Sequence, residues 1–277
     1  MKIIILNLLM FFLLDASDLT KGNQEYIKQN YSQAKELYTN SCKENRYVSC
    51  YNLALLYQNG RSVKQDYKKA AQLYKKACDG GVYNSCYNLG LLYAKGKGVN
   101  KNSNKASELY LKACDGDAFR SCHNAAYLFE KGIGVKQDYK KAIFLYDKAC
   151  EGRLFQACMN LGVLYKNGRG TKQDYKKAKE LYEKACVSGV SISCYNLGLL
   201  FAKGLGVKKN EKMANKLYKI GCDGGFGNSC MNLGVSYYQG RSLVQNKTKA
   251  KELFQKACSY GYEKACKYHD VLTKEGF

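Results

Sequence analysis

CDGGVYNSCYNLGLLY, from Cys78 to Tyr93, holds two cysteines eight residues apart, and a pair at that spacing returns every 36 residues. The fourteen positions are Cys42, Cys50, Cys78, Cys86, Cys114, Cys122, Cys150, Cys158, Cys186, Cys194, Cys222, Cys230, Cys258 and Cys266. The block Cys86-Tyr87-Asn88-Leu89-Gly90-Leu91-Leu92-Tyr93 is nearly repeated at Cys194-Tyr195-Asn196-Leu197-Gly198-Leu199-Leu200-Phe201. Between such blocks lies a second recurring stretch, seen at Gly134 to Ala142 and again at Gly170 to Ala178. Self-similarity at a fixed period is the mark of a repeat architecture, and each unit reads as two helices and two turns.

Stop and start signals divide each unit. Gly60, Gly96, Gly132, Gly168, Gly204 and Gly240 stand where the first helix must end, as suits a residue free to adopt a left-handed cap. Asp66, Asn102, Asp138, Asp174, Asn210 and Asn246 follow as N-caps of the second helix. That helix carries alanine, leucine and an aromatic ring at helical spacing, as in Ala70, Leu73, Tyr74 and Ala77, which is a core pattern rather than an aromatic binding box. The chain has no proline, so its turns are made by glycine.

Placed on these helices, Cys78 ends one helix, Asp79-Gly80-Gly81 turns the chain, and Cys86 enters the first turn of the next. A bond between them closes a helical hairpin at its base, fastening helices within a hairpin and not across hairpins. Zinc is the rival, but it wants short C-x-x-C or H-x-x-x-H groupings, and the two histidines, His123 and His269, belong to none. No metal or other cofactor is expected. Nor is a cysteine nucleophile, since every cysteine has a partner and no repeating histidine stands by to activate one.

The start of the chain adds the compartment. Met1-Lys2 is followed by an apolar run from Ile3 to Leu14, long enough for the core of a secretory signal and short of the roughly 20 residues of a membrane span. Export is the reading, to a periplasm or the cell exterior, where disulfides persist. The expected organisation is a signal peptide at 1–16, a degenerate N-terminal capping helix at 17–29, an array of seven disulfide-closed hairpins at 30–266, and a polar C-terminal cap at 267–277.

These residues also carry a resemblance. Leu-Gly-x-x-Tyr, then Gly-x-Gly-Val, then Asp-x-x-Lys-Ala, then Leu-Tyr-x-Lys-Ala-Cys resembles the Sel1-like repeat, a relative of the tetratricopeptide repeat. With a cysteine pair in every unit and a signal segment in front, the chain resembles the Helicobacter cysteine-rich protein family. The resemblance implies an all-α fold, an alpha-alpha superhelix or solenoid of Sel1-like helical hairpins, each closed by a disulfide. It also implies two kinds of activity: penicillin binding or weak β-lactam hydrolysis, and engagement of host or bacterial protein partners.

Two features bear on function. Asn52, Asn88, Asn124, Asn160, Asn196 and Asn232 recur inside the first helices, where asparagine is unfavourable because its amide competes with the backbone. In the resembled arrays first helices line a concave groove, and an amide offers the donor and acceptor that an extended peptide backbone presents. The alternative is that each asparagine bonds the neighbouring repeat and sets the pitch of the stack; both readings stay open. Charge is the other feature: 45 basic against 23 acidic residues give a net charge of +22. Lysines such as Lys68-Lys69 and Lys140-Lys141 read first as solvated, yet a field of this sign favours acidic partners.

The expectation is therefore a binding scaffold for a peptide or protein partner, with acidic chemistry favoured. β-Lactams and peptidoglycan fragments are the small molecules that the resemblance implies, and export disfavours nucleic acid. For a β-lactamase, Ser32-Gln33-Ala34-Lys35 fits S-x-x-K, but the S-D-N and K-T-G elements are missing. Catalytic residues are not identified.

Overall fold

The computed structural model describes residues 18–277, and every regular element among them is a helix. The expected signal segment 1–16 lies outside the described residues. The chain divides into two compact units, one running through Gln137 and the other starting at Asp138.

In the first unit, a helical segment over 18–27 (α1) precedes α2 (Tyr31–Lys43), α3 (Tyr47–Asn59), α4 (Tyr67–Asp79), α5 (Tyr83–Lys95), α6 (Ser103–Asp115) and α7 (Phe119–Lys131). The second unit comprises α8 (Tyr139–Glu151), α9 (Phe155–Asn167), α10 (Tyr175–Val187), α11 (Ser191–Lys203), α12 (Glu211–Asp223), α13 (Gly227–Gln239), α14 (Lys247–Ser259) and α15 (Glu263–Lys274). The last hairpin thus runs beyond Cys266, because α15 continues to Lys274.

The punctuation works as its chemistry requires. From α4 to α14, each even helix opens on an Asp or Asn whose side chain accepts from the N–H three residues on, as Asp66 does from Lys69 at 2.8 Å and Asn210 from Met213 at 2.9 Å. Each satisfies one of the first-turn donors that the helix itself leaves unpaired. Glycine closes odd helices α3 to α13 in the left-handed region, with φ between +64° at Gly168 and +68° at Gly96. Odd helices start differently. Val82, Ala118 and Leu154, for example, give no side-chain cap, and a disulfide in the first turn anchors the helix instead.

All fourteen cysteines are paired at the spacing of eight, with Cα–Cα distances from 4.6 Å at Cys222–Cys230 to 4.9 Å at Cys258–Cys266. The fold class is the all-α repeat of disulfide-bonded helices expected from the sequence.

The core of each unit is built from small residues and rings. Ala70, Tyr74 and Ala77 are fully buried, while Leu73 is partly buried and packs at the edge of the same cluster. The glycine of the Leu-Gly pair has a packing reason. A Cβ built on Gly90 would meet the Tyr110 ring at 2.7 Å, one on Gly162 the Tyr182 ring at 2.7 Å, and one on Gly198 the Tyr218 ring at 2.6 Å. The odd helix thus gives up a side chain so that the following even helix can seat an aromatic ring against its backbone. Two units carry alanine instead, Ala54 and Ala126, both fully buried.

Candidate functional site

The asparagine row falls into two sets of three. Asn52, Asn88 and Asn124 lie on α3, α5 and α7 of the first unit; Asn160, Asn196 and Asn232 lie on α9, α11 and α13 of the second. All six are half-buried. Most are engaged by a partner that the sequence had assigned only to the core, the buried tyrosine of the preceding even helix. Asn52 bonds the Tyr38 hydroxyl, Asn88 that of Tyr74, Asn124 that of Tyr110 and Asn232 that of Tyr218.

Burial dominates the ionisation of these rings. It pushes Tyr38, Tyr110 and Tyr218 up to about 12, the asparagine bond opposing the shift, because a phenolate without water is costly. Tyr182 is raised as well, by burial alone. Its hydroxyl has no hydrogen-bond partner, so Asn196, at the matching place on α11, is not held in the way that Asn88 is held by Tyr74.

At the N-terminal end of the row these groups open onto space. Asn23 on α1 accepts from Tyr38 Oη at 2.8 Å and from Asn52 Nδ2 at 3.0 Å. A cleft of about 360 Å³ lies over this trio, walled by Tyr26, Ile27 and Leu55. Amides at the base and apolar walls above are the usual composition of a ligand site. Asn23 was missed in the sequence because it falls outside the 36-residue register.

Other candidates come out plainly. Ser32 is exposed in the first turn of α2, and Lys35 is half-exposed on the same helix. Lys68, Lys69, Lys140 and Lys141 are all exposed. His123 is half-buried and its pKa is lowered, chiefly by desolvation, while His269 lies beside Asp270 at 3.3 Å. No group of three metal-ligating side chains occurs among the described residues. A second row passed unnoticed in the sequence: Ser85, Ser121, Ser193 and Ser229, each just before a cysteine, are fully buried with unpartnered hydroxyls.

The Sel1 repeat pattern matches residues 20–45, 48–82, 84–117, 120–153, 155–189, 191–226 and 227–262. The chain belongs to the Sel1 repeat family. It is similar to a protective antigen of uropathogenic Escherichia coli displaying an SLR fold, with 25% identity and a TM-score of 0.87 over 95% of this chain, but it spans only 57% of that protein's length. A Sel1 repeat protein from Oxalobacter formigenes is 29% identical, with a TM-score of 0.72 over 87% of this chain and 99% of that one. Helicobacter pylori cysteine rich protein B is 33% identical over 46% of this chain and 90% of its own, with a TM-score of 0.37. The curated proteins contain no match.

The Sel1 boundaries place the two cysteines of a pair on either side of a repeat junction. Cys42 falls in the first repeat and Cys50 in the second, Cys78 in the second and Cys86 in the third. A Sel1 unit is therefore an odd helix followed by an even one; six disulfides tie each unit to the next, and the seventh ties the last unit to α15. The two helices inside a Sel1 unit, such as α5 and α6, pack more extensively than the stapled pair α4 and α5. Covalent bonds thus sit at the less extensively packed junctions. As a class, Sel1 repeats form a scaffold suited to protein–protein interaction. Seven disulfides fit an oxidising setting, periplasmic or extracellular, and no helix among the described residues is long and apolar enough to cross a membrane.

Proposed function

We propose that the chain is an exported scaffold that holds extended peptides or peptide-like ligands on its odd helices, with asparagine amides gripping the ligand backbone. The cleft over Asn23, Tyr38 and Asn52 carries the reading, because it combines amides with apolar walls in a volume of about 360 Å³. A tyrosine contact uses only part of an amide's two donors and one acceptor, so the row can hold its neighbour and still bind. The stapling of unit to unit supports the same role: a rigid row costs less ordering on binding. Exposed lysines on the even helices bias the choice toward acidic partners. β-Lactams and peptidoglycan fragments would enter as peptide mimics at the same amides, and export would rest on residues 1–16.

The test is an array of extended peptides of graded acidity, probed with oxidised protein and followed by titration of the best binder. Asn196→Ala should lower affinity about tenfold, the loss of one to two hydrogen bonds, with an unchanged denaturation midpoint, because no tyrosine depends on that amide. Asn88→Ala should cost stability as well, since Tyr74 loses a bond. Peptide affinity left intact by both Asn196→Ala and Asn52→Ala, in proteins of unaltered stability, sinks the reading.

A further inference from the structure

In the second unit, α12 and α14 flank a separate cleft of about 340 Å³, a volume suited to a small molecule. Lys212, Lys216 and Lys219 come from α12, and Lys249 and Lys256 from α14. The α12 set recurs at helical spacing, which places it on one stripe. Leu233, Tyr237 and Leu253 supply apolar lining. Two carboxylates also line the cleft, and each is taken by a neighbour: Asp223 pairs with Lys219 at 2.7 Å and Glu252 with Lys249 at 2.5 Å. Lys212, Lys216 and Lys256 form no ion pair of their own.

Within this stripe Lys216 is what departs from the repeat, since α4 also carries lysine at the places of Lys212 and Lys219, Lys68 and Lys75, but has Gln72 at that of Lys216. At the positions of Lys212, Lys216 and Lys219, α10 has Lys176, Glu180 and Glu183, and α8 has Lys140, Phe144 and Asp147. Asn215 is equally singular, since the matching places hold Ala71, Ser107, Ile143 and Lys179. It lines the same cleft, is only 4% exposed, and donates from Nδ2 to the Arg241 carbonyl at 2.8 Å. That bond fixes the amide orientation and leaves Oδ1 buried with no partner. A buried acceptor without a donor is costly, and here it shares the cleft with Lys212 and Lys216, which form no ion pair.

We propose that this cleft binds a small, doubly charged anion on a polyol, of the sugar-phosphate class. Its anionic group would lie between Lys216 and Lys256, and one of its hydroxyls would donate to Asn215 Oδ1. Lysine suits this task as a compact point charge, and the polyol supplies the hydroxyl donor that a fully ionised anion such as sulfate lacks. The inference is independent of the asparagine row, which lies on the odd helices.

The experiment is calorimetric titration of the oxidised full chain at about 0.15 M salt, where long-range fields are screened within roughly 8 Å. Glucose 6-phosphate and inorganic sulfate are the probes, the second a dianion with no hydroxyl. Saturable binding of both is expected. Lys216→Ala with Lys256→Ala should weaken both about tenfold or more, a loss of about 1.4 kcal/mol. Lys68→Ala with Lys75→Ala on α4, neither of which lines the cleft, removes the same formal charge and should change affinity less than about twofold. Asn215→Ala should weaken glucose 6-phosphate about tenfold and leave sulfate nearly unaffected. Absence of saturable binding, or equal losses from the two lysine pairs, overturns the site. An Asn215→Ala effect equal for both probes overturns the hydroxyl contact.

Discussion

Gly96 and Gly98, two residues apart in one turn, offer a test of how neighbouring Sel1 units are fitted together. Both have φ of +68°, so an alanine at either place takes on the left-handed cost of about 1 to 2 kcal/mol, offset by about 0.4 to 1 kcal/mol from a stiffer unfolded chain. Their surroundings differ. A Cβ on Gly96 would come no nearer than 3.2 Å to the Lys101 side chain, whereas a Cβ on Gly98 would sit 2.3 Å from the Tyr67 carbonyl carbon and 2.5 Å from the Lys68 nitrogen. Those atoms are backbone at the start of α4, in the preceding unit, and cannot swing aside. Roughly an ångström of retreat is needed, and overpacking of this kind costs about 1 to 3 kcal/mol.

Gly96→Ala should therefore lose about 1 kcal/mol and Gly98→Ala about 2 to 4 kcal/mol. At about 2 to 4 °C per kcal/mol for a chain of this order, thermal melts of the oxidised proteins should separate clearly. Hydrogen exchange should place the added opening in Gly98→Ala at α4 and α6, since a repeat array fails locally at a damaged interface. Equal destabilisation by the two substitutions, or a Gly98→Ala melt matching the parent, would refute the claim that this glycine is an interface residue.

Replacing Cys150 and Cys158 together by serine should cost about 2.5 kcal/mol, the chain entropy of so short a loop, read from urea denaturation; a loss under about 0.5 kcal/mol would mean that packing alone holds α8 to α9. Ser121→Ala should stabilise by up to about 1 kcal/mol by removing an unpartnered buried hydroxyl, as Ala157 already does one unit later, and a marked loss on denaturation would show that the hydroxyl has a partner. Tyr38, Tyr110 and Tyr218 are raised to about 12 against an ordinary value near 10. Between these values the unfolded chain releases protons that the folded chain keeps, so stability should fall as pH rises from about 10 to 12. An absorbance titration in which all 25 tyrosines ionise together near pH 10, with the helices intact, would contradict this.

What could be read from residues alone was whatever depends on near neighbours. A cap bonds three residues ahead, a left-handed glycine ends the helix it follows, and the paired cysteines are eight apart, so the helix limits and the disulfides followed from spacing. The asparagine row was visible as a period, but its choice between holding the stack and gripping a ligand was not. Tyr74 and Asn88 meet only because α4 and α5 pack side by side, and nothing local in either helix announces a hydrogen bond between them.

The phase of the Sel1 unit, an odd helix followed by an even one, could be read from the glycine stop and the Asp or Asn start that divide it. Cysteines mark covalent hairpins, and the extent of packing between α5 and α6 agrees with the unit so divided. Composition, repeat length, helix punctuation and disulfide pairing were determined by the sequence, because those forces act within a turn or two of the chain. The ring seated on Gly90, the backbone that presses on Gly98 and the lysine cleft between α12 and α14 were decided only by tertiary structure. Each depends on which faces of distant helices meet, and a 36-residue period fixes the spacing of those helices but not the side chains that will face one another across them.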